Sequence, residues 1–212
     1  MKKNKRLKII ETIKEHILNN SKEYIIVSLI FVIGIFLGVL FVNNIQDTQK
    51  AEINTYLNNF ISKFKEPDSV NNIELVKECM NEKVILAVVI WFFGTTVIGI
   101  PIVFGIVLYR GFCLGYTISA CIASWGMSKG LVFILTALLL QNILFIPAIL
   151  ALAVSGFKLY KSIVKNREKQ NIKLEIVRHT AFSLIMLLAL IISAVIEIFI
   201  STSILKLIIK YF

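Results

Sequence analysis

Apolar positions in this chain come in long unbroken runs rather than in alternation. Tyr24–Val42, Val84–Tyr109, Gly111–Met127, Leu131–Phe157 and Ala181–Leu207 each approach or exceed the ~18 apolar residues that carry a helix across a bilayer. Backbone polar groups cannot stay unpaired in lipid, so these runs predict helices. The pattern therefore predicts an all-α polytopic membrane protein. Five transmembrane helices form its bundle, at 24–42, 84–109, 111–127, 131–157 and 181–207. The second contains Pro101 and the fourth Pro147. The second and third abut at Arg110–Gly111, and Met127–Gly130 reads as a tight external turn.

Between the runs lie four polar stretches. In residues 1–23, Leu7, Ile10, Ile13 and Ile17 fall near helical spacing opposite lysines and glutamates. This predicts either an amphipathic N-terminal helix lying on membrane lipids or a basic tail. Residues 43–83 are too few for a separate core. Within them Ile53, Tyr56, Leu57, Phe60, Ile61 and Phe64 share one helical face. Pro67 then breaks the helix, and Ile73, Val76, Met80 and Val84 continue on one face. That predicts an external helical hairpin whose apolar stripe packs on the bundle, lies on lipid or docks a partner. Residues 158–180 form a basic linker, and 208–212 a short external end.

Composition agrees with burial in lipid: 57% of residues are hydrophobic and 17% charged. The net charge of +10 could suggest nucleic acid. Its distribution argues for a membrane surface instead. With five spans, 15 basic residues fall on the side of the N-terminus and 8 on the other, where the first loop also carries seven acids. Basic residues collect on the cytoplasmic face, so the N-terminus is expected inside, the C-terminus outside, and no nucleic-acid partner. The first span lacks a following small-x-small cleavage site, which predicts an uncleaved anchor.

Catalytic patterns are not found. His16 and His179 stand far from any nucleophile, and no phosphate loop, dinucleotide fingerprint or Cys/His metal spacing occurs. The reading is of a protein that is not an enzyme, with no metal and no cofactor. Cys113 and Cys121 read as small apolar residues; Cys79 lacks an external partner for a disulfide. Glycine is more informative. Gly34-x-x-x-Gly38 and Gly111-x-x-x-Gly115 let helix backbones approach closely, within the bundle or across a homo-oligomer.

The remaining candidates are polar groups inside the runs. Gln141 and Asn142 precede Pro147, which frees the carbonyl of Ile143. Both amides are expected to face protein, on a kinked helix. Glu197 stands in AVIEIFIST as the one acid read at depth, where ionisable groups mark candidate sites. It is either part of a proton or ion path, or a structural acid paired with Gln141, Asn142 or Thr96. One ionisable group is few for a transport path, which favours the structural role.

The stretches GIFLG (34–38), LYRGFCLGYTISA (108–120), KGLVFILTALLLQNILFIPAILALAVSGFKLYKS (129–162) and IEIF (196–199) together resemble the stage II sporulation protein M family. Pro147, Ala148 and Gly156 match that family's fourth-span pattern. Gln141 and Asn142 stand where many members have His-Gly, and Phe145 where many have Glu. The resemblance implies a cell-membrane scaffold of the engulfment machinery. It would recruit two peptidoglycan-degrading enzymes, stage II sporulation proteins D and P, to the septum of a sporulating cell. The Ile53, Tyr56, Leu57, Phe60 and Phe64 face is then the candidate for partner docking. The runner-up is a transport component that uses Glu197.

Overall fold

A computed structural model describes residues 17–65, 72–165 and 172–201. Among them the fold is entirely helical. The elements are α1 (Ser21–Asn44), α2 (Asp47–Lys65), α3 (Asn72–Gly94), α4 (Ile100–Phe133), α5 (Leu140–Lys165) and α6 (Ile172–Ile196). A π segment, Ile134–Leu139, joins α4 to α5, and a second, Glu197–Ser201, extends α6. The amphipathic pattern at Leu7, Ile10 and Ile13 and the break at Pro67 lie outside the described residues.

Four helical stretches are long and apolar enough to cross a membrane: Ser21–Asn44, Ile100–Thr136, Asn142–Val164 and Ile172–Phe199. The expected second span, 84–109, is not one helix. The chain leaves helical geometry at Thr95–Gly99 and restarts at Ile100. Two side chains close the end of α3. Thr95 Oγ1 donates to the Phe92 carbonyl at 2.6 Å and Thr96 Oγ1 to that of Phe93 at 3.0 Å. Pro101 then occupies the first turn of α4, where its missing N–H leaves no bond unmade. It starts a helix rather than interrupting one. Arg110–Gly111, expected to separate two spans, sits inside α4 without a break.

The chain reverses instead at Gly126, whose φ of 78° and ψ of 169° only glycine adopts readily. This is one residue before the expected turn. The expected linker 158–180 is also shorter, because α5 runs on to Lys165 and α6 starts at Ile172. The fourth expected span, too, is not a single α-helix. The departure from α geometry falls at Ile134–Leu139, while α5 continues through Pro147.

One core joins the bundle. Val27, Ile90, Val103, Val107, Leu152 and Leu190 are among its fully buried members, drawn from α1, α3, α4, α5 and α6. α3 enters this core through Leu86, Ala87 and Ile90. Its other half carries Glu74, Lys77, Glu78, Glu82 and Lys83, which keeps it below the apolarity of a span. One end of the bundle holds Lys158, Lys161, Lys173 and Arg178, and is called the basic end. There Lys161 pairs with Glu23 at 2.7 Å.

Candidate functional site

Helix α3 brings charge into the bundle. Lys83 is buried, its side chain 7% exposed. Hydrocarbon does not tolerate an unpaired ammonium. Lys83 forms an ion pair with Glu197 of the second π segment, and its Nζ lies 3.4 Å from Ser193 Oγ. Cys79 Sγ donates to the same Glu197 carboxylate at 3.2 Å. Beside them Arg110 of α4 pairs with Glu82 at 2.8 Å. Phe145 of α5 links the two pairs. The Lys83 ammonium lies 5.2 Å, and the Arg110 guanidinium 5.7 Å, from its ring centre. Both distances suit a cation–π contact.

These groups line a cavity of about 220 Å³. Asn142, Thr117 and Cys113 complete its polar wall. Two cations face two carboxylates, so the cluster is neutral overall. A buried pair of this kind contributes little net stability, but it strongly penalises the loss of either partner. Both π segments border the cavity, through Leu138 and Glu197. Such segments recur at functional sites.

The polar residues expected near Glu197 divide among different places. Asn142 lines the same cavity and spends its amide on the Leu138 carbonyl at 2.8 Å. The Gln141 side chain lies outside the described residues. Thr96 caps α3 at the basic end. Pro147 is exposed on the bundle surface. Glu197 is therefore held by α3, through Lys83, a residue at the end of the expected external loop. Among the described residues, Glu82, Lys83 and Arg110 join Glu197 on this cavity. Arg110 follows one apolar run and Glu82 stands just ahead of it at the other end, so both look like boundaries in the sequence.

The two glycine motifs lie against each other. Gly34 and Gly38 of α1 face the α4 backbone at Leu108, Phe112 and Tyr116. Gly111 and Gly115 of α4 face the α1 backbone at Phe31 and Ile35. The partners advance together along both helices, so α1 and α4 run parallel. A methyl at any of these positions would overlap a main-chain carbonyl.

A family model for stage II sporulation protein M matches residues 27–202. The chain belongs to the stage II sporulation protein M family. The match takes in α1 from Val27 onward, the glycine seam, the charged cavity and Glu197. No curated protein and no solved structure matches the chain. The family is not known as an enzyme family. Among the described residues of this family member, no three His, Cys, Asp or Glu side chains are grouped to hold a metal ion.

Two further features complete the map of this stage II sporulation protein M homologue. At the end opposite the basic one, α2 folds onto the last turns of α4. Ile61 is 5% exposed and packs with Cys121 and Phe133, and Leu57, Phe60 and Trp125 surround them. Trp125 Nε1 donates to Asn58 Oδ1 at 3.1 Å. Much of the α2 apolar stripe is thus covered by the protein itself. Ile53 is half-buried, Tyr56 is 72% exposed, and the Phe64 side chain lies outside the described residues. At the basic end the buried His179 joins three helices. Its Nδ1 lies 2.9 Å from Ser155 Oγ, its Nε2 3.4 Å from the Trp91 carbonyl, and Gly94 meets Gly156 beside it. The sequence carries a weak signal for that layer, a glycine within each of two apolar runs.

Proposed function

We propose that this protein is a membrane scaffold of the sporulation engulfment machinery. In this reading it localises peptidoglycan-degrading enzymes, stage II sporulation proteins D and P, at the septum. Family membership makes it a sporulation-related membrane protein. The observation that carries the finer reading is α2. Its apolar face is spent on Cys121, Phe133 and Trp125. This fixes α2 to the bundle as a rigid element at the end away from the basic residues. A fixed helix presents its free face without the entropy cost of ordering a loop. That face carries Glu52, Thr55, Tyr56 and Asn59, all exposed. An exposed tyrosine among small polar groups suits a protein contact.

Tyr56→Glu together with Asn59→Lys should weaken capture of the two enzymes at least about tenfold, as loss of one interface anchor does. The chain should remain inserted and at normal level. Co-purification from sporulating cells, with quantitative mass spectrometry, checks this. Undiminished recovery of both enzymes would remove α2 as the docking element.

One observation favours a second reading. Four ionisable side chains on one cavity are more than a purely structural bundle requires, and polar lining is what a transport component needs. The two readings differ over whether the Lys83–Glu197 charges themselves are required.

A further inference from the structure

The outer half of α3 does not fit a lipid environment. Lys83 stands eleven residues before Gly94, the end of α3 at the basic face. Arg110 stands ten residues after Ile100, where α4 leaves that face. At 1.5 Å per residue, both lie about 15 Å into a hydrocarbon layer about 30 Å thick. From that depth toward the opposite face, α3 presents Glu74, Lys77, Glu78, Asn81 and Glu82, all exposed. Each charge facing hydrocarbon would cost about 2.5–3.5 kcal/mol, so the face must meet water or protein. The cavity beside Glu82, Lys83, Arg110, Asn142 and Glu197 has room for several water molecules at about 220 Å³. Its walls supply the polar partners that water needs. Toward the basic end the path closes on Leu86, Ala87, Ile90, Val107 and Leu190, all buried.

We propose that the charged half of α3 lines a water-filled crevice. It enters from the face opposite the basic end and stops at the Lys83–Glu197 pair. It admits small hydrophilic solutes to mid-bilayer and no further. At its inner end, where two cations face two carboxylates, it suits neutral or zwitterionic solutes better than an ion of one sign. This holds whether or not the chain binds wall enzymes.

The test uses the full chain in nanodiscs, with its three native cysteines replaced by alanine. Single cysteines are placed at Asn81, Thr117, Asn142 and Val88. The probe is a small, charged, membrane-impermeant methanethiosulfonate. Val88 is exposed on the apolar half of α3 and reports hydrocarbon. Asn81→Cys, Thr117→Cys and Asn142→Cys should react at least about tenfold faster than Val88→Cys, because a thiolate does not form in hydrocarbon. Thr117→Cys keeps the test decisive if loss of the Asn142 amide disturbs α5. Reaction at Asn81 with Thr117 and Asn142 as slow as Val88 would overturn the crevice. Equal, slow reaction at all four sites would also overturn it, since the charged face would then be covered.

Discussion

Lys83→Met should destabilise the bundle by about 3–5 kcal/mol, because it leaves the Glu197 carboxylate in the bundle without its cation. Glu197 keeps the Cys79 thiol as donor, a weak one. Glu197→Met should be comparably harmful, since Lys83 is the more deeply buried of the two. Combining the two substitutions should regain most of the loss. Two methionines fill similar volume without charge, and replacing a whole buried pair by apolar groups is often neutral. Arg110 and Glu82 still balance each other in the double variant. A double-mutant cycle on unfolding in mixed detergent checks this. Two single losses that simply add in the double variant would show that Lys83 and Glu197 do not act together.

The second large effect is expected at the glycine seam. Gly115→Leu places a branched side chain where the Ile35 main chain passes. No rotamer avoids a backbone carbonyl, so α1 and α4 must separate. The expected loss is about 3 kcal/mol or more, above the usual range for overpacking against side chains that can shift. Gly105→Leu is the control, on the same helix with open space around it. Folded yield in detergent should fall sharply for Gly115→Leu and stay near normal for Gly105→Leu. Equal yields would mean that the α1–α4 contact contributes little to holding the bundle together.

Much of the architecture was written in the apolar runs, since lipid forces a helix wherever a run is long enough. The spacing from Ile53 to Ile61 likewise marked α2 as a helix with one apolar face. It could not say what covers that face, because Trp125 and Phe133 lie far along the chain. Local chemistry was harder to read. Arg110 looked like a boundary because a lone arginine is costly in lipid, yet Glu82 makes it tolerable there. Gly111 serves the close backbone contact that its spacing from Gly115 predicts, against Phe31, and does not separate two spans. Pro101 looked like an interruption and is the first turn of a helix. Glu197 was conspicuous, but its partner was not. Lys83 stands at the edge of a run, where basic residues usually meet water, and only the pairing of α3 with α6 places it inside. The π segments left no trace in the pattern, since one shifted turn of hydrogen bonds barely alters the spacing of apolar residues.

The most direct measurement is engulfment in sporulating cells that carry only the Lys83→Met/Glu197→Met chain. Membrane migration around the forespore is scored, and accumulation of the protein is measured alongside. A scaffold needs the helices held together and not the charges themselves. The double variant should therefore accumulate and complete engulfment at close to the normal rate. Normal accumulation with engulfment arrested at the septum would contradict the scaffold reading and give the charge pair a part in transport.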